Sequence, residues 1–182
     1  TVQIGDQCWF SENCRYLPEV SPSSAYSTTD PYYYVYDYQG TDVEAAKSTD
    51  NYETYGVLYN WPAVMTEGIC PSGWHVPTDA EFTELTDFLG GEEVAGYAMK
   101  STAGWDSGGN GSNSSGFNGL PGGHRESGSA YGGQSQWGFF WTSLQVDTEL
   151  FAWYRRVYAT TSNVDWSYYY LQGGFSARCI KD

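Results

Sequence analysis

The chain has 182 residues and a formal net charge of −14 at pH 7, because its 22 acidic side chains far outnumber the eight Lys and Arg. Binding to nucleic acid requires basic side chains that neutralise phosphates, and an anionic membrane surface repels an acidic chain. This composition excludes a nucleic-acid-binding function. We also expect no membrane insertion, since no apolar run approaches the length of a membrane span.

Aromatic side chains make up 18% of the residues, with 17 Tyr and eight Trp. Some of them must belong to the core, but each buried Tyr hydroxyl needs a hydrogen-bond partner. Tyr and Trp also provide large contact areas at a low entropic cost. We therefore expect many Tyr side chains on the surface, where they would serve recognition of a protein or a glycan.

The first half of the chain predicts a hairpin and two helices. Two short strands flank a turn at Gly5, which is typical of a β-hairpin. Apolar residues at roughly helical spacing predict a short buried helix over residues 55–65. A second helix is predicted over residues 78–89, where Thr78 is a favourable N-cap and Glu81 completes a capping box.

The second half has the composition of a long loop followed by strands. Residues 104–133 are rich in Gly, Ser and Asn, which predicts a loop region ordered by hydrogen bonds. Aromatic and β-branched runs then predict four strands, at residues 137–141, 151–159, 164–170 and 175–180. These elements indicate a single α+β domain over residues 1–182.

The four cysteines, Cys8, Cys14, Cys70 and Cys179, are typical of a disulfide-bonded protein in an oxidising compartment. Four cysteines allow three pairings. The short spacing of Cys8 and Cys14 favours a local bridge, which leaves Cys70 to pair with Cys179. Four buried thiols are the alternative, and the absence of a C-x-x-C pair disfavours zinc. We expect an exported protein whose signal lies upstream of Thr1.

One part of the glycine-rich segment offers oxygen atoms that could hold Ca²⁺, at Asp106, Asn110, Asn113 and Asn118. Their spacing matches no EF-hand loop, and Gly rather than acidic residues dominates the segment. We therefore interpret it as a structural loop, and we predict neither a metal site nor a cofactor.

Six segments, in order along the chain, resemble a known family. They are YGVLYNW at 55–61, CPSGWHVPTDAEF at 70–82, GFNGLPGGHR at 116–125, FWTS at 140–143, AWYR at 152–155 and GFSARC at 174–179. Together they resemble the Fibrobacter succinogenes major paralogous domain. The resemblance implies a C-type-lectin-like fold of the formylglycine-generating-enzyme type, with two helices, a small antiparallel sheet and long glycine-rich loops. It also implies an extracellular or cell-surface bacterial protein.

Some domains of this type also resemble the variable proteins of diversity-generating retroelements. In these, adenine-directed mutagenesis rewrites a C-terminal stretch that the lectin-like fold displays for ligand capture. Over residues 154–173, residue types that this process produces alternate with framework-like residues such as Val157 and Val164. Trp153 and Phe175, which flank the stretch, are also interpreted as framework. The resemblance implies a variable binding surface near the C-terminus.

The C-terminal Tyr-rich cluster is the predicted ligand-binding site. Strand alternation places Val157 inward and Tyr158 outward, and Tyr combined with Ser and Asp resembles the chemistry of antibody loops. The predicted binding residues are Tyr154, Arg156, Tyr158, Asp165, Ser167, Tyr168, Tyr169 and Gln172. Ordinary cross-strand aromatic packing is the alternative interpretation.

These observations favour a non-catalytic ligand-binding module, such as an adhesin or a receptor. A structural surface or fibre subunit that self-associates through its Tyr-rich face is the second hypothesis. A lectin-fold enzyme is the third, with His75 and His124 as its candidate bases. A catalytic base needs a partner and a pocket, and the sequence indicates neither, so no catalytic residue is predicted.

Overall fold

Three sheets and a series of short helices make up the chain in the computed structural model, which describes residues 1–147 and 150–182. The strands are β1 (Val2–Ile4), β2 (Gln7–Trp9), β3 (Tyr33–Tyr34), β4 (Leu58–Tyr59), β5 (Trp74–His75), β6 (Gly122–Arg125), β7 (Tyr131–Gln134), β8 (Trp137–Gln145), β9 (Phe151–Tyr158), β10 (Val164–Tyr170) and β11 (Ile180–Lys181). The α-helices are α1 (Val43–Lys47), α2 (Asp50–Tyr55), α3 (Trp61–Val64), α4 (Asp79–Phe88) and α5 (Ala95–Met99). The α+β class is therefore confirmed.

The largest sheet has the strand order β10-β9-β8-β6-β7, and a second sheet has the order β1-β2-β11-β5. Strands β8, β9 and β10 are the longest and pair antiparallel, whereas β6 runs parallel to β8. Strands β3 and β4 form a separate two-stranded ribbon. Strand β10 is an edge strand of the largest sheet. None of the helices in the described parts of the chain is long and apolar enough to span a bilayer.

The predicted hairpin and the predicted capped helix are both confirmed. Strands β1 and β2 pair around Gly5, whose φ of 60° is the left-handed conformation that glycine adopts without a steric penalty. Helix α4 begins after Thr78. The Thr78 side chain accepts a hydrogen bond from the Glu81 N–H, and the Glu81 carboxylate accepts one from the Thr78 N–H. The described parts of the chain contain five α-helices, three more than the sequence predicts.

The predicted helix over residues 55–65 is wrong for most of its length. Leu58 and Tyr59 form β4, and within this range only Tyr55, the last residue of α2, and Trp61–Val64 are helical. Asn60 is the reason for the change. It is fully buried, and its side chain accepts from the Ala63 N–H and donates to loop carbonyls at Ser27 and Asp30. Such a helix cap requires a non-helical residue, so the helix starts after Asn60.

The predicted loop over residues 104–133 ends earlier than expected, because β6 and β7 lie in its second part. As predicted, hydrogen bonds order its first part, here between side chains and the backbone. Asn110 Oδ1 accepts from the Trp105 N–H at 3.1 Å, and Asn113 Oδ1 accepts from the Asn118 N–H at 2.8 Å. Both amide oxygens, considered above as Ca²⁺ ligands, thus accept backbone hydrogen bonds within the loop.

A buried arginine joins the C-terminal segment to the rest of the fold. Arg178 donates to the side-chain oxygen of Asn13 and to the carbonyls of Phe10, Phe117 and Asn118, at 2.6–3.0 Å. Burial lowers the pKa of Arg178 to about 9. Because these hydrogen bonds all go to uncharged oxygen atoms of neighbouring loops, the Arg178 side chain stabilises those loops.

The cysteines pair only in part as the sequence predicts. Cys70 forms a disulfide with Cys179, but Cys8 and Cys14 are not bonded to each other. Cys14 is buried, and its Sγ lies 3.4 Å from the Sγ of Cys179. The short spacing favoured a Cys8–Cys14 bridge, but the fold turns Cys14 toward the C-terminal segment through a hydrogen bond from its N–H to the Ala177 carbonyl.

Candidate ligand-binding surface

Strands β9 and β10 carry most of the predicted binding residues. They pair antiparallel, with Val157 opposite Val164, Trp153 opposite Tyr168 and Phe151 opposite Tyr170. Directly opposed residues point to the same face of a sheet. One face therefore contains the odd-numbered residues of β9 (151–157) and the even-numbered residues of β10 (164–170), and the residues between them point to the other face.

Helix α4 and the segment that follows it cover the first face at one end only. Arg155 is buried there, and its guanidinium lies 2.6 Å from Glu92 Oε1 and 2.9 Å from Asp79 Oδ1. Val157 and Val164 are buried in the adjoining core. Further along the two strands this cover ends, and in the described parts of the chain the same face is open to solvent.

Five aromatic side chains occupy the open part of this face, and we call them the aromatic ladder: Phe151, Trp153, Trp166, Tyr168 and Tyr170. Trp166 and Tyr168 are each 51% exposed and Tyr170 is 44% exposed. Neighbouring rings contact across the two strands, with centroid distances of 5.0 Å for Trp153–Trp166, 5.5 Å for Phe151–Tyr168 and 4.6 Å for Phe151–Tyr170. The ladder is thus an ordered, exposed aromatic surface.

The other face of the same strands is covered, and this overturns one predicted binding residue. Tyr154 is only 6% exposed, and its ring centroid lies 5.4 Å from that of Phe139 and 5.0 Å from that of Phe175. The prediction that Tyr154 contacts a ligand is wrong, because the aromatic core occupies its side of the strand.

Three other predicted residues, Arg156, Tyr158 and Asp165, form a half-buried cluster on that covered face. The Arg156 guanidinium carbon lies 4.4 Å from the centroid of the Tyr158 ring, and the Tyr158 hydroxyl donates to the Asp165 carboxylate. Burial raises the pKa of Tyr158 to about 12, with a further contribution from the bond to Asp165. These predicted residues lie together, but their polar and aromatic groups contact one another.

The remaining predicted residues differ in position. Ser167, Tyr169 and Gln172 are half-buried; Tyr169 packs against Phe175 at 5.3 Å, and the Gln172 carbonyl accepts from Arg125 Nη1 at 2.8 Å. Tyr168 is therefore the one predicted binding residue that belongs to the aromatic ladder.

A shallow depression of about 380 Å³ lies at the start of β10. Its lining includes Glu92, Glu93, Asp165 and Trp166. Glu92 is paired with Arg155, whereas the Glu93 side chain is exposed. The depression joins the ladder at Trp166 and is also lined by Arg156, so that Glu93 is the exposed acidic residue at this end of the aromatic surface.

Both histidines, considered above as candidate bases, contact neighbouring side chains of the fold. His75 Nδ1 lies 2.6 Å from Asp182 Oδ1 and its Nε2 lies 2.8 Å from Glu81 Oε1. Burial by itself lowers the pKa of His75, but the two carboxylates outweigh it and the pKa lies above the usual 6.5. His124 is buried against the rings of Phe139 and Trp137, and burial lowers its pKa.

Comparison with known families agrees with the motifs and the fold. A family model described as the Fibrobacter succinogenes major domain matches residues 2–181. The chain belongs to this family. No curated protein and no solved structure matches the chain.

Four ladder residues of this Fibrobacter succinogenes major domain escaped the sequence interpretation: Phe151, Trp153, Trp166 and Tyr170. A signal for part of the ladder was present, since Trp166, Tyr168 and Tyr170 recur at the spacing of two that places side chains on one face of a strand. The sequence also predicted β10 with its correct bounds. The sequence does not reveal that α4 covers this face only as far as Arg155. For this reason Trp153 was interpreted as framework and not as part of a surface.

Proposed function

We propose that this Fibrobacter succinogenes major domain is a non-catalytic ligand-binding module, of the adhesin or receptor type, and that the aromatic ladder is its binding surface. One observation carries the proposal: five aromatic rings lie in contact with one another on an open sheet face, with Trp166 and Tyr168 half exposed. Contiguous exposed apolar surface of this kind marks interaction sites in soluble proteins.

The chemistry of the ladder suits recognition. Trp and Tyr are the residues most enriched at binding hot spots, where truncation of one ring costs about 2 kcal/mol or more. The strand backbone and the ring contacts hold Trp166 and Tyr168 in place before a ligand arrives. Little side-chain entropy is then lost on binding, which favours affinity.

The proposal places the domain outside the cell or on its surface, with a C-type-lectin-like fold. The Cys70–Cys179 disulfide supports export, because such bonds persist in oxidising compartments. The finer proposal is that the C-terminal strands display variable residues, as in diversity-generating retroelements. DNA sequencing next to the gene tests it, since the mechanism requires a near-copy of the segment for residues 140–179 that differs at adenines, beside a reverse transcriptase.

Screening the purified domain against glycan and protein arrays tests the binding function. Every ligand found is then measured with Trp166→Ala and Tyr168→Ala, each of which we expect to weaken binding at least tenfold. Tyr26→Ala is the matched control, because Tyr26 is 56% exposed but lies outside the ladder. Ligands whose affinity is unchanged by both ladder substitutions would refute the assignment of this surface.

A self-assembling subunit is the second candidate, because the same exposed rings could be covered by another copy of the chain. Sedimentation velocity over a hundredfold range of concentration distinguishes the two functions. We expect a monomer at physiological salt, since the net charge of −14 opposes association of identical chains. Oligomers that Trp166→Ala dissociates would favour the structural role.

A further inference from the structure

We propose that the ligand of the aromatic ladder is an extended, cation-bearing peptide segment, which adds as a further strand to the free edge of β10. This inference rests on the proposed binding function and specifies the partner. It depends on the direction of the backbone groups of β10, on its unprotected edge and on the charge around it.

The direction of the backbone groups follows from two hydrogen bonds that leave β10. The Val164 N–H donates at 2.7 Å to the Glu92 carbonyl, outside the sheet, whereas the Leu171 N–H donates at 3.0 Å to the Leu150 carbonyl, toward β9. In an antiparallel strand, alternate residues direct their N–H and C=O groups to the same side. Trp166, Tyr168 and Tyr170 therefore direct theirs away from β9.

These outward backbone groups are almost all free in the described parts of the chain. The Tyr170 carbonyl accepts from the Gly173 N–H at 2.9 Å. The N–H and C=O of Trp166 and Tyr168 and the N–H of Tyr170 remain for a partner. The same three residues also carry exposed ladder rings, so that one edge presents hydrogen-bonding groups and alternate side chains together. This combination is the one that β-strand addition uses.

Strand β10 also lacks the features that keep edge strands from pairing. Lys, Pro and bulges are the usual protection, and Val164–Tyr170 contains neither Lys nor Pro and pairs with β9 without a break. Asp165 is its one charged residue, and that side chain is bonded to Tyr158 on the covered face. The edge is thus open over a length that accommodates a strand of about five residues.

Charge selects a cation-bearing partner over a second copy of the chain. The net charge is −14, and the exposed Glu93 lines the depression at the start of β10. Glu92 and Asp165 line it too, but Glu92 is paired with Arg155, and Asp165 accepts from Tyr158 and lies 3.8 Å from Arg156, which also lines the depression. The faces of Trp and Tyr rings attract Lys and Arg as well. An extended segment with Lys or Arg at alternate positions would place these side chains over the ladder rings.

The probe is a synthetic octapeptide of alternating Lys and Val, blocked at both ends, added to the intact ¹⁵N-labelled domain. Calorimetry measures its affinity, and hydrogen exchange measures protection of individual amides. We expect protection of the Trp166 and Tyr168 N–H groups, at least tenfold, when the peptide binds. The same peptide with Glu in place of Lys should bind at least tenfold more weakly.

Two N-methylated peptides separate backbone pairing from contact with the rings. One carries the methyl groups on Val and the other on Lys. Since alternate residues of the added strand face β10, one of the two peptides should lose binding at least tenfold and the other should retain it. Equal affinities of both peptides, or binding without protection of Trp166 and Tyr168, would overturn strand addition.

Variants of the domain provide a matched comparison. Tyr168→Thr removes the ring and keeps the N–H, whereas Tyr168→Pro removes both, at an edge position where proline is tolerated. We expect the Pro variant to bind the Lys-Val peptide about tenfold more weakly than the Thr variant, the equivalent of one lost hydrogen bond. Ladder-dependent glycan binding without peptide binding would refute this inference and leave the proposed function standing.

A second inference comes from the cysteines: the geometry points to Cys14 as an alternative disulfide partner of Cys179. Cys14 Sγ lies 3.4 Å from Cys179 Sγ, and the sulfur atoms of Cys14, Cys70 and Cys179 all lie within 4.8 Å of one another. The backbone holds Cys14 in place, since its N–H donates to Ala177 and its carbonyl accepts from Val57.

The exchange step involves no net oxidation. The Cys14 thiolate forms a bond to Cys179 Sγ, the Cys70–Cys179 bond breaks, and the electron pair stays on Cys70 Sγ, which takes up a proton. The product has a Cys14–Cys179 disulfide and a half-buried Cys70 thiol. Burial raises the pKa of Cys14 to about 12, so that the thiolate is scarce and exchange is slow at neutral pH.

Cys70→Ser tests this inference. We expect the oxidised variant to contain a Cys14–Cys179 disulfide, detected by peptide mapping after alkylation in acidic denaturant, with Cys8 as the alkylated cysteine. Cys8→Ser is the control and should keep the Cys70–Cys179 bond. Alkylation of both Cys14 and Cys179 in folded, oxidised Cys70→Ser would overturn the inference. In the wild type, incubation at pH 9 should increase the fraction of alkylated Cys70.

Discussion

Two groups of aromatic rings lie on opposite faces of the largest sheet and differ mainly in what covers them. On one face, Phe139, Trp141, Tyr154 and Phe175 form a buried aromatic cluster, with centroid distances from 4.3 to 6.4 Å. On the other face, the aromatic ladder has similar ring distances, from 4.6 to 5.5 Å. The cluster residues are at most 6% exposed, whereas three ladder residues are 44–51% exposed.

Contact between rings therefore does not distinguish a core from a binding surface. The cluster is closed by Tyr59 and its neighbours in the first half of the chain, whereas α4 stops covering the opposite face at Arg155. Exposed rings contribute little to folding, because water still contacts much of their apolar area. The proposed binding function would give such an uncovered aromatic surface a role.

The largest expected effect is a difference in stability between two Trp→Ala substitutions. Trp141→Ala removes a fully buried indole, whose N–H donates to the Tyr59 carbonyl at 2.8 Å, and should lower the free energy of unfolding by about 3–5 kcal/mol. Trp166→Ala should lower it by less than about 1 kcal/mol. Urea denaturation measures both, and losses of similar size would break the distinction between cluster and ladder.

A smaller effect is expected at the boundary where the cover ends. Arg155→Met leaves the carboxylates of Asp79 and Glu92 without their cation, and should cost about 2 kcal/mol, because both acids retain partial hydration. Loss of this contact should also speed hydrogen exchange at the Val164 N–H, which is bonded to Glu92. Arg15→Met is the control, since Arg15 and Glu12 form an exposed pair that contributes little. Unchanged exchange at Val164 would show that Arg155 does not maintain the cover.

Raising the pH should lower the free energy of unfolding and leave the ladder unaltered. The responsible group is His75, which lies in the four-stranded sheet and not in the sheet that carries the ladder. The pKa of His75 is raised by Asp182 and Glu81, so its stabilising contribution is full below pH 6.5 and is lost as pH rises through the folded-state pKa. We expect a small decrease in the free energy of unfolding from pH 6 to pH 9, which His75→Asn removes. Acrylamide quenching of Trp166, taken as the difference from Trp166→Phe, should not change over this range.

Local sequence signals predicted the elements that local physics determines. The Thr78–Glu81 capping box and the aromatic and β-branched composition of β10 involve only neighbouring residues, and both elements were predicted with nearly correct bounds. The Asn60 cap was missed, because the bonds of Asn60 to Ser27 and Asp30 depend on a fold that brings the loops together. The Cys8–Cys14 pairing failed for the same reason, since sequence spacing does not reveal that Cys14 lies beside Cys179.

The candidate site shows the same division between local and long-range information. Its position in the C-terminal strands and the exposure of Tyr168 followed from the Tyr-rich pattern. The Tyr-rich pattern did not show which face of the sheet would bind, because Tyr154 and Trp153 are adjacent in β9 and point to opposite sides. The identity of the covered side depends on where α4 packs, and this is a tertiary property.

The smallest expected effect concerns the coupling between two ladder rings. Trp153 and Trp166 have centroids 5.0 Å apart at a tilt of 44°, in an exposed cross-strand arrangement. A double-mutant cycle with both residues changed to Ala should give a coupling energy of about 0.5 kcal/mol in the free domain, because water competes for exposed rings. Such a value means that the rings are ordered but not required for folding. A coupling above about 1.5 kcal/mol would assign this pair a structural role, and the binding surface would then reduce to Tyr168, Tyr170 and the edge of β10.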